Sequence, residues 1–191
     1  MSAGTTRSGG ARPRSPRASA LALGLAASLV LVSAGCGITQ MQNLAFRVDN
    51  RLQFTSPPNR TLVQNPVTVG WRMSDFRIEA EGGGGVVRGA GYFAVFVDRA
   101  PIRPGQTMRS VASGDLECLH QPGCPDRAYL AERQIYTTTA TQITLGQIPS
   151  ISGDNEQIQL HTVTVVLMDT SGHRVGESAW ELDLRMHKVG L

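Results

Sequence analysis

The chain has 191 residues and a formal net charge of +3, but four of its 18 basic residues lie within the first 17 positions, where no acidic residue occurs. The other 14 basic residues are balanced by 15 acidic ones. A nucleic-acid-binding surface needs a clustered surplus of positive charge. The composition therefore excludes nucleic acid as a partner.

The N-terminus has the three-part order of an export signal. The four arginines are followed by an apolar run at residues 20–32 and then by small residues that lead to Cys36. The tail SAGC (residues 33–36) resembles a bacterial lipobox, in which the cysteine is acylated and becomes the first residue after cleavage, although Ser33 stands where lipoboxes usually carry Leu. The resemblance implies a signal peptide over residues 1–35 and a lipid anchor on the extracytoplasmic face of the cell membrane.

Two other interpretations fit the same segment: a plain secretory signal and an uncleaved membrane anchor. Residues 18–35 are slightly fewer than the roughly 20 that a membrane-spanning helix prefers. A cysteine at the expected cleavage point favours lipidation, because a plain signal has no reason to supply one. Residues 36–51 are polar and predict a tether, although the alternation at residues 44–48 also permits a first edge strand.

From residue 52 the sequence has the pattern of a β-rich domain, which we predict to cover residues 52–187. GYFAVFVD (residues 91–98) is almost continuously apolar and predicts a central strand that is buried on both faces. Only Asp126–Glu132 indicates a helical turn. The other predicted strands are Leu52–Thr55, Val67–Met73, Phe76–Ala80, Gln106–Val111, Gln134–Thr139, Thr141–Leu145, His161–Met168 and Glu177–Met186. This pattern favours an antiparallel sandwich.

Three segments, TSPPN…NPVTVGW, GYFAVFVDRAPI and HTVTVVLMDTSGHRVGES, resemble in this order bacterial immunoglobulin-like or fibronectin-III-like sandwiches. The resemblance implies an all-β, antiparallel immunoglobulin-like β-sandwich in which the VFVD and HTVTVVLMD strands are neighbours in one sheet. The Cys…Trp…Cys spacing of antibody domains is absent. Lysine occurs only at position 188, and this preference for arginine is typical of a high-GC bacterium such as an actinobacterium.

Residues 99–134 form a long insert that a minimal sandwich does not need. Loops on a rigid scaffold often carry function, so we expect a ligand or partner loop here. Its candidate contact residues are Arg103, Arg109, His120, Arg127 and Tyr129. The alternative is that the insert only covers an open sheet edge.

Cys118 and Cys124 are the two cysteines that remain when Cys36 carries lipid. Outside the membrane, an even pair in a Pro-Gly loop predicts a disulfide bond, which would stiffen the insert. The alternative is a metal site formed by both cysteines and His120, but it lacks a nearby fourth ligand.

The remaining chemistry-bearing residues are scattered. His161 and His173 with Met168 and Met186 have the ligand types of a copper site, although alternation places the methionines in the core. No nucleotide-binding, zinc-protease, calcium-loop or serine-hydrolase motif occurs. We therefore predict a non-catalytic binding or scaffolding module of the cell envelope, without metal or cofactor. Its expected partners are membrane lipid, through acylated Cys36, and an envelope protein or ligand. A copper-binding protein and an accessory subunit of an envelope enzyme or transporter are the alternatives.

Overall fold

The structure is a computed structural model that describes residues 49–82 and 87–188. The predicted signal peptide (1–35), the predicted lipidation site Cys36 and most of the predicted tether lie outside these residues. The described strands are β1 (Leu52–Ser56), β2 (Thr61–Val63), β3 (Val67–Met73), β4 (Arg77–Ile78), β5 (Ala90–Val97), β6 (Ile135–Thr138), β7 (Gln142–Leu145), β8 (Ile158–Asp169) and β9 (Trp180–His187).

The strands form two sheets. Sheet A has the order β1-β3-β7, and sheet B has the order β2-β9-β8-β5-β4, with β6 also pairing with β5. Gly91 pairs with Asp169 of β8 on one side and with Ile78 of β4 on the other. Strands β4 and β6 therefore follow one another along the same edge of β5. The predicted neighbours, residues 95–98 and 161–169, do lie side by side.

Sheet B is mixed, which corrects the antiparallel part of the predicted fold class. Strand β2 runs parallel to β9, and β4 runs parallel to β5, whereas the other pairs are antiparallel. Both parallel strands are short edge strands of three and two residues. Alternation over so few residues says nothing about direction, because it records only which face of a strand is buried.

The main core lies between the two sheets, which pack face to face. The Trp71 ring of sheet A meets the Phe93 ring of sheet B edge to face, with centroids 5.3 Å apart. Alternate residues of β3 and β9 face this core. The buried side chains of this core are Leu52, Val67, Val69, Trp71, Phe93, Val95, Val97, Leu145, Ile148, Val163, Val165, Leu167, Trp180, Leu182, Leu184 and Met186.

A second apolar cluster covers the other face of sheet B. Tyr92, Ala94 and Phe96 of β5 pack there against Ile102 and Leu130 of the insert. Every residue of β5 is buried, which confirms the central strand predicted from GYFAVFVD. Since successive side chains of a strand point to opposite faces, a continuous apolar run requires a layer on each side, and the insert supplies the second one.

The insert contains more helix than the sequence indicated. The segment predicted as a strand at Gln106–Val111 is instead a 3₁₀ helix at Met108–Ala112. Helix α1 (Leu116–His120) begins where the Asp115 carboxylate accepts a hydrogen bond from the Cys118 backbone N–H. Helix α2 (Arg127–Glu132) is capped in the same way by Asp126, which confirms the predicted turn. Asp at the N-cap fixes such short helices by satisfying one of their free N–H groups.

The chain enters the sandwich at Asp49, which is held by the connection before β9. Its backbone carbonyl accepts a hydrogen bond from Trp180 Nε1 at 2.6 Å, and its carboxylate accepts one from the Ser178 hydroxyl. The same carboxylate pairs with the Arg51 guanidinium at 2.7 Å. The bonds from Arg51, with Ser178 assisting and burial opposing, lower the pKa of Asp49 well below its usual range.

The low pKa of Asp49 predicts an acid-dependent contribution to stability. A carboxyl group whose pKa is depressed by folding stabilises the fold above its unfolded pKa of about 3.9 and loses this effect as the pH falls. We expect Asp49→Asn to lower the free energy of unfolding at pH 7, and the difference from the parent to shrink below about pH 4. Urea unfolding of both proteins between pH 7 and pH 3 measures this difference. A difference that stays constant over the whole range would contradict the prediction.

Candidate functional site

The insert is fastened to the outer face of sheet B, whereas the alternative prediction places it over an open sheet edge. Ile102 and Leu130 are buried against β5 and β8, with Met108 and Val111 packed beside them. This apolar contact is what allows residues 99–134 to hold a defined position. It places the helices of the insert above the sheet rather than beside it.

Arg174 ties the start of the insert to the hairpin between β8 and β9. Its guanidinium donates to the carbonyls of Ile102, Glu177 and Ser178. Its backbone bonds to the insert as well, donating to Gln106 O and accepting from Gly105 N. Arg174 is 7% exposed and makes no ion pair among the described residues. A buried arginine that satisfies three carbonyls fixes the relative position of the two segments.

The predicted disulfide between Cys118 and Cys124 is confirmed, with 5.3 Å between the two Cα atoms. Cys118 is buried in α1, and Cys124 lies in the loop that leads to α2. Because both sulfur atoms are in this bond, neither is a thiolate for the alternative metal site with His120. The bond joins the two helices of the insert across a short loop.

A cleft of about 1110 Å³ opens between the insert and one edge of sheet B. Its floor follows five consecutive residues, 135–139, which comprise β6 and the residue after it. The insert forms one wall, and Ile143 of sheet A lies on the opposite side. The remaining residues of the insert and of sheet B that line it are Ala80, Glu81, Tyr92, Thr107, Met108, Arg109, Gly123, Cys124, Pro125, Asp126, Arg127, Leu130 and Ala131.

One end of the cleft carries a buried tyrosine and a carboxylate. Tyr92 is 4% exposed, and its hydroxyl donates to Glu81 Oε2 at 3.0 Å. Burial, followed by the charge and hydrogen bond of Glu81, raises the pKa of Tyr92. The tyrosine is therefore neutral at physiological pH, and it holds the Glu81 side chain in place rather than acting as a base.

Most of the other charged side chains in the cleft already have partners. The Asp126 carboxylate caps α2 by accepting from Tyr129 N at 2.8 Å, and Arg109 donates to the Leu119 carbonyl at 3.0 Å. Arg127 is exposed and has no hydrogen bond or ion pair among the described residues. The cleft thus presents one cation whose hydrogen-bonding capacity is unused.

The structure brings together two of the five predicted contact residues. Arg109 and Arg127 line the cleft, whereas Arg103 lies at a separate hollow of about 270 Å³. His120 is exposed at the end of α1 and lines neither space. Tyr129 is half-buried, and its ring packs against another side chain of the insert.

Tyr129 belongs to a cluster that joins the two helices of the insert. The Arg133 guanidinium lies 3.5 Å from the centre of the Tyr129 ring, and it also contacts the Asp115 carboxylate at 3.7 Å. Asp115 in turn caps α1. A cation stacked on an aromatic face stabilises such a contact, so the cluster stiffens the wall of the cleft and leaves Tyr129 unavailable to a ligand.

Sequence reasoning did not include three parts of the cleft: Glu81, Tyr92 and the threonines at 137–139. Tyr92 was recognised only as part of a buried strand. The run Thr137-Thr138-Thr139 was recognised as strand, but nothing in it shows that the strand has a free edge, because strand order depends on long-range pairing. The length of the insert at residues 99–134 is the local signal that points to this region.

The residues of the copper alternative are not gathered in one place. Met186 lies in the core between the sheets, whereas Met168 lies in the cluster on the outer face of sheet B. His161 is buried, with Nδ1 at 2.6 Å from Asp98 Oδ2. His173 is exposed on the hairpin turn. In residues 49–82 and 87–188, no three His, Cys, Asp or Glu side chains are grouped so that they could hold a metal ion.

The polar residues of that hairpin turn shape the turn. Asp169 Oδ1 accepts from the backbone N–H groups of Ser171 and His173, both at 2.9 Å, and from the Ser171 hydroxyl at 2.7 Å. In a catalytic triad the histidine stands between the serine and the carboxylate. Here the serine stands between the other two, which is the arrangement of a turn stabilised by an aspartate side chain.

Comparisons with protein-family models, with curated proteins and with solved structures give no match to this chain. Within the part of the chain that the structure describes, no helix combines the length and the apolarity needed to cross a membrane.

Proposed function

We propose that this protein is an extracytoplasmic lipoprotein of the bacterial cell envelope, anchored through Cys36, whose immunoglobulin-like sandwich binds an envelope protein or ligand without catalysing a reaction. The single observation that carries the binding role is the cleft beside β6, which has a rigid wall and an unpaired arginine. The export-signal order and the SAGC segment support the anchor.

The wall of the cleft is suited to recognition because it is held in place before any ligand arrives. The Cys118–Cys124 disulfide, the Tyr129–Arg133 stack and the buried apolar cluster each restrict the insert. Restricting a binding loop in advance reduces the entropy that would be lost on association. A layer needed only to cover the sheet would not require a cleft of about 1110 Å³ beside it.

A non-catalytic role is supported by the side chains that line the cleft. Glu81 is bonded to a neutral tyrosine, and Asp126 is bonded to a backbone N–H. General acid–base catalysis needs a titratable group that can reach the substrate proton. The lining offers hydroxyls, two arginines, apolar surface and two carboxylates that are already hydrogen-bonded within the protein, which are groups suited to recognition.

Site-specific photo-crosslinking in living bacteria tests the proposal. The full chain, with its own N-terminus, carries a photoreactive amino acid at Thr139 in the cleft or, as the control, at the exposed Glu181 on β9. We expect a discrete adduct from position 139 only, in a protein that fractionates with membranes and has an acylated N-terminal Cys36 by mass spectrometry. Adducts from both positions, or from neither, would contradict the binding site, and an unmodified Cys36 would contradict the anchor.

A further inference from the structure

The edge of β6 that faces the cleft is free. Among the described residues β6 pairs only with β5. Val97 N donates to the Gln134 carbonyl at 3.0 Å, so this carbonyl points towards β5, whereas the Gln134 N–H donates to Ala131 O within the insert. In an antiparallel pair the direction alternates along the strand, so the N–H and C=O groups of Ile135 and Thr137 point the other way. These groups face the cleft.

This free edge lies in a groove, unlike the outer edge of β7 in sheet A. All residues from 135 to 139 line the cleft, with α2 and the disulfide loop on one side and Ile143 on the other. Natural proteins usually cover or shorten an edge strand, because its unpaired backbone groups are a template for another strand. Here the residues that line the cleft leave the backbone edge of β6 accessible to a single extended peptide. They leave too little room for the edge strand of another sheet.

We propose that the cleft binds an extended peptide segment of a partner protein, which adds to sheet B as a strand beside β6 and carries an acidic side chain opposite Arg127. This inference rests on the proposed binding function and names the chemistry of the partner. Backbone hydrogen bonds to Ile135 and Thr137 supply affinity, as in other cases of strand addition. The contact between Arg127 and an acidic side chain then determines which peptide sequences bind.

The acidic preference follows from Arg127 alone, because the two arginines and two carboxylates that line the cleft carry no net charge together. Glu81, Asp126 and Arg109 are each held by a hydrogen bond within the protein, whereas Arg127 is exposed and has none among the described residues. Arginine forms paired, charge-assisted hydrogen bonds with a carboxylate. A peptide with Asp or Glu near one end of the added strand therefore satisfies the one unused cation.

A displayed library of random ten-residue peptides is the probe. The full chain, produced with its own N-terminus and purified in detergent, is used to select binders, and their affinities are then measured with synthetic peptides. We expect the selected peptides to be rich in β-branched residues and to share an acidic position. Thr137→Pro removes one outward N–H without touching the bonds to β5, a substitution that edge strands tolerate. It should weaken binding about tenfold or more.

The control variant is Gln142→Pro on β7. Trp71 N donates to the Thr141 carbonyl, so the backbone of Gln142 points away from β3, and Gln142 does not line the cleft. This variant should bind like the parent. Arg127→Gln gives a second test that does not change the backbone, and it should weaken acidic peptides about fivefold while leaving their neutral analogues unaffected.

Each outcome distinguishes the inference from the proposed function. If no peptide is selected, or if binders are insensitive to both Thr137→Pro and Arg127→Gln, strand addition is wrong, even where crosslinking at position 139 supports the cleft as a site. A parent protein that dimerises, with the dimer lost in Thr137→Pro, would assign the edge to a second copy of the chain and overturn the inference. Failure to obtain a crosslinked adduct from position 139 would contradict the proposed binding function itself.

Discussion

Gly91→Ala should be among the most destabilising single substitutions in the sandwich. Gly91 lies in β5 with φ +156°, and a Cβ atom there would stand 1.8 Å from the Met168 carbonyl oxygen. Both neighbouring strands, β4 and β8, pair with this residue. The collision between the new Cβ atom and the Met168 carbonyl can therefore be relieved only if β5 and β8 move apart. Backbone strain of about 1–3 kcal/mol and overpacking of about 1–3 kcal/mol predict a loss of roughly 2–6 kcal/mol in the free energy of unfolding.

Chemical unfolding of the full chain measures this loss, and Gly89→Ala is the matched control. Gly89 also has a positive φ, +72°, but nothing lies within 4 Å of the place that a Cβ atom would occupy there. The substitution should therefore cost only about 1 kcal/mol, which is the strain of the backbone conformation alone. The difference between the two variants reports the collision with Met168 together with the larger backbone strain expected at φ +156°. Equal losses would show that the approach of β8 to Gly91 is not rigid.

The parts of the fold that follow from burial could be predicted from the sequence. Strand β3 has the predicted ends, Val67 and Met73, because its apolar residues alternate without interruption. Strand β5 was predicted to be buried on both faces because an apolar run leaves neither face polar. The disulfide was predictable because only two cysteines remain when Cys36 is set apart. In each of these cases, the local pattern of residues is compatible with only one structural interpretation.

The parts that depend on long-range pairing could not be predicted. The direction of β2 and β4 is set by which edge of sheet B each reaches, and three or two residues do not encode that. The segment Gln106–Val111 does not alternate, and its two large apolar residues, Met108 and Val111, are three positions apart. This spacing suits the short helix that packs onto the apolar cluster of the outer face of sheet B.

The same distinction explains the candidate site. The insert was recognised as the functional region, and Arg109 and Arg127 were identified in it because polar loops on a scaffold stand out locally. The prediction for Tyr129 did not include its contact with Arg133, which lies four residues later on the same side of a helix and stacks on its ring. The free edge of β6 exists only because no other described strand reaches it. A local sequence pattern does not show whether another strand will pair with a given edge.

Arg174→Met should lower the free energy of unfolding by about 2–4 kcal/mol and loosen the insert. The substitution leaves three carbonyls without their donor: that of Ile102, whose bond is buried, and those of Glu177 and Ser178, whose bonds are partly buried. A hydrogen bond to a charged group contributes about 1.5–3 kcal/mol, and an unsatisfied buried acceptor costs about 1–3 kcal/mol. Removing a buried charge offsets part of this loss.

Arg103→Met is the control, because Arg103 is an exposed residue of the same segment whose side chain makes no hydrogen bond or ion pair among the described residues. It should change the free energy of unfolding by less than about 0.5 kcal/mol. Amide hydrogen exchange shows which part of the protein loosens. In Arg174→Met, the protection of backbone amides from exchange should fall first at residues 102–107 and 173–178. Because Thr107, Met108 and Arg109 line the cleft, the same variant should also weaken whatever the cleft binds. A stable variant with unchanged exchange would show that the apolar cluster alone fastens the insert.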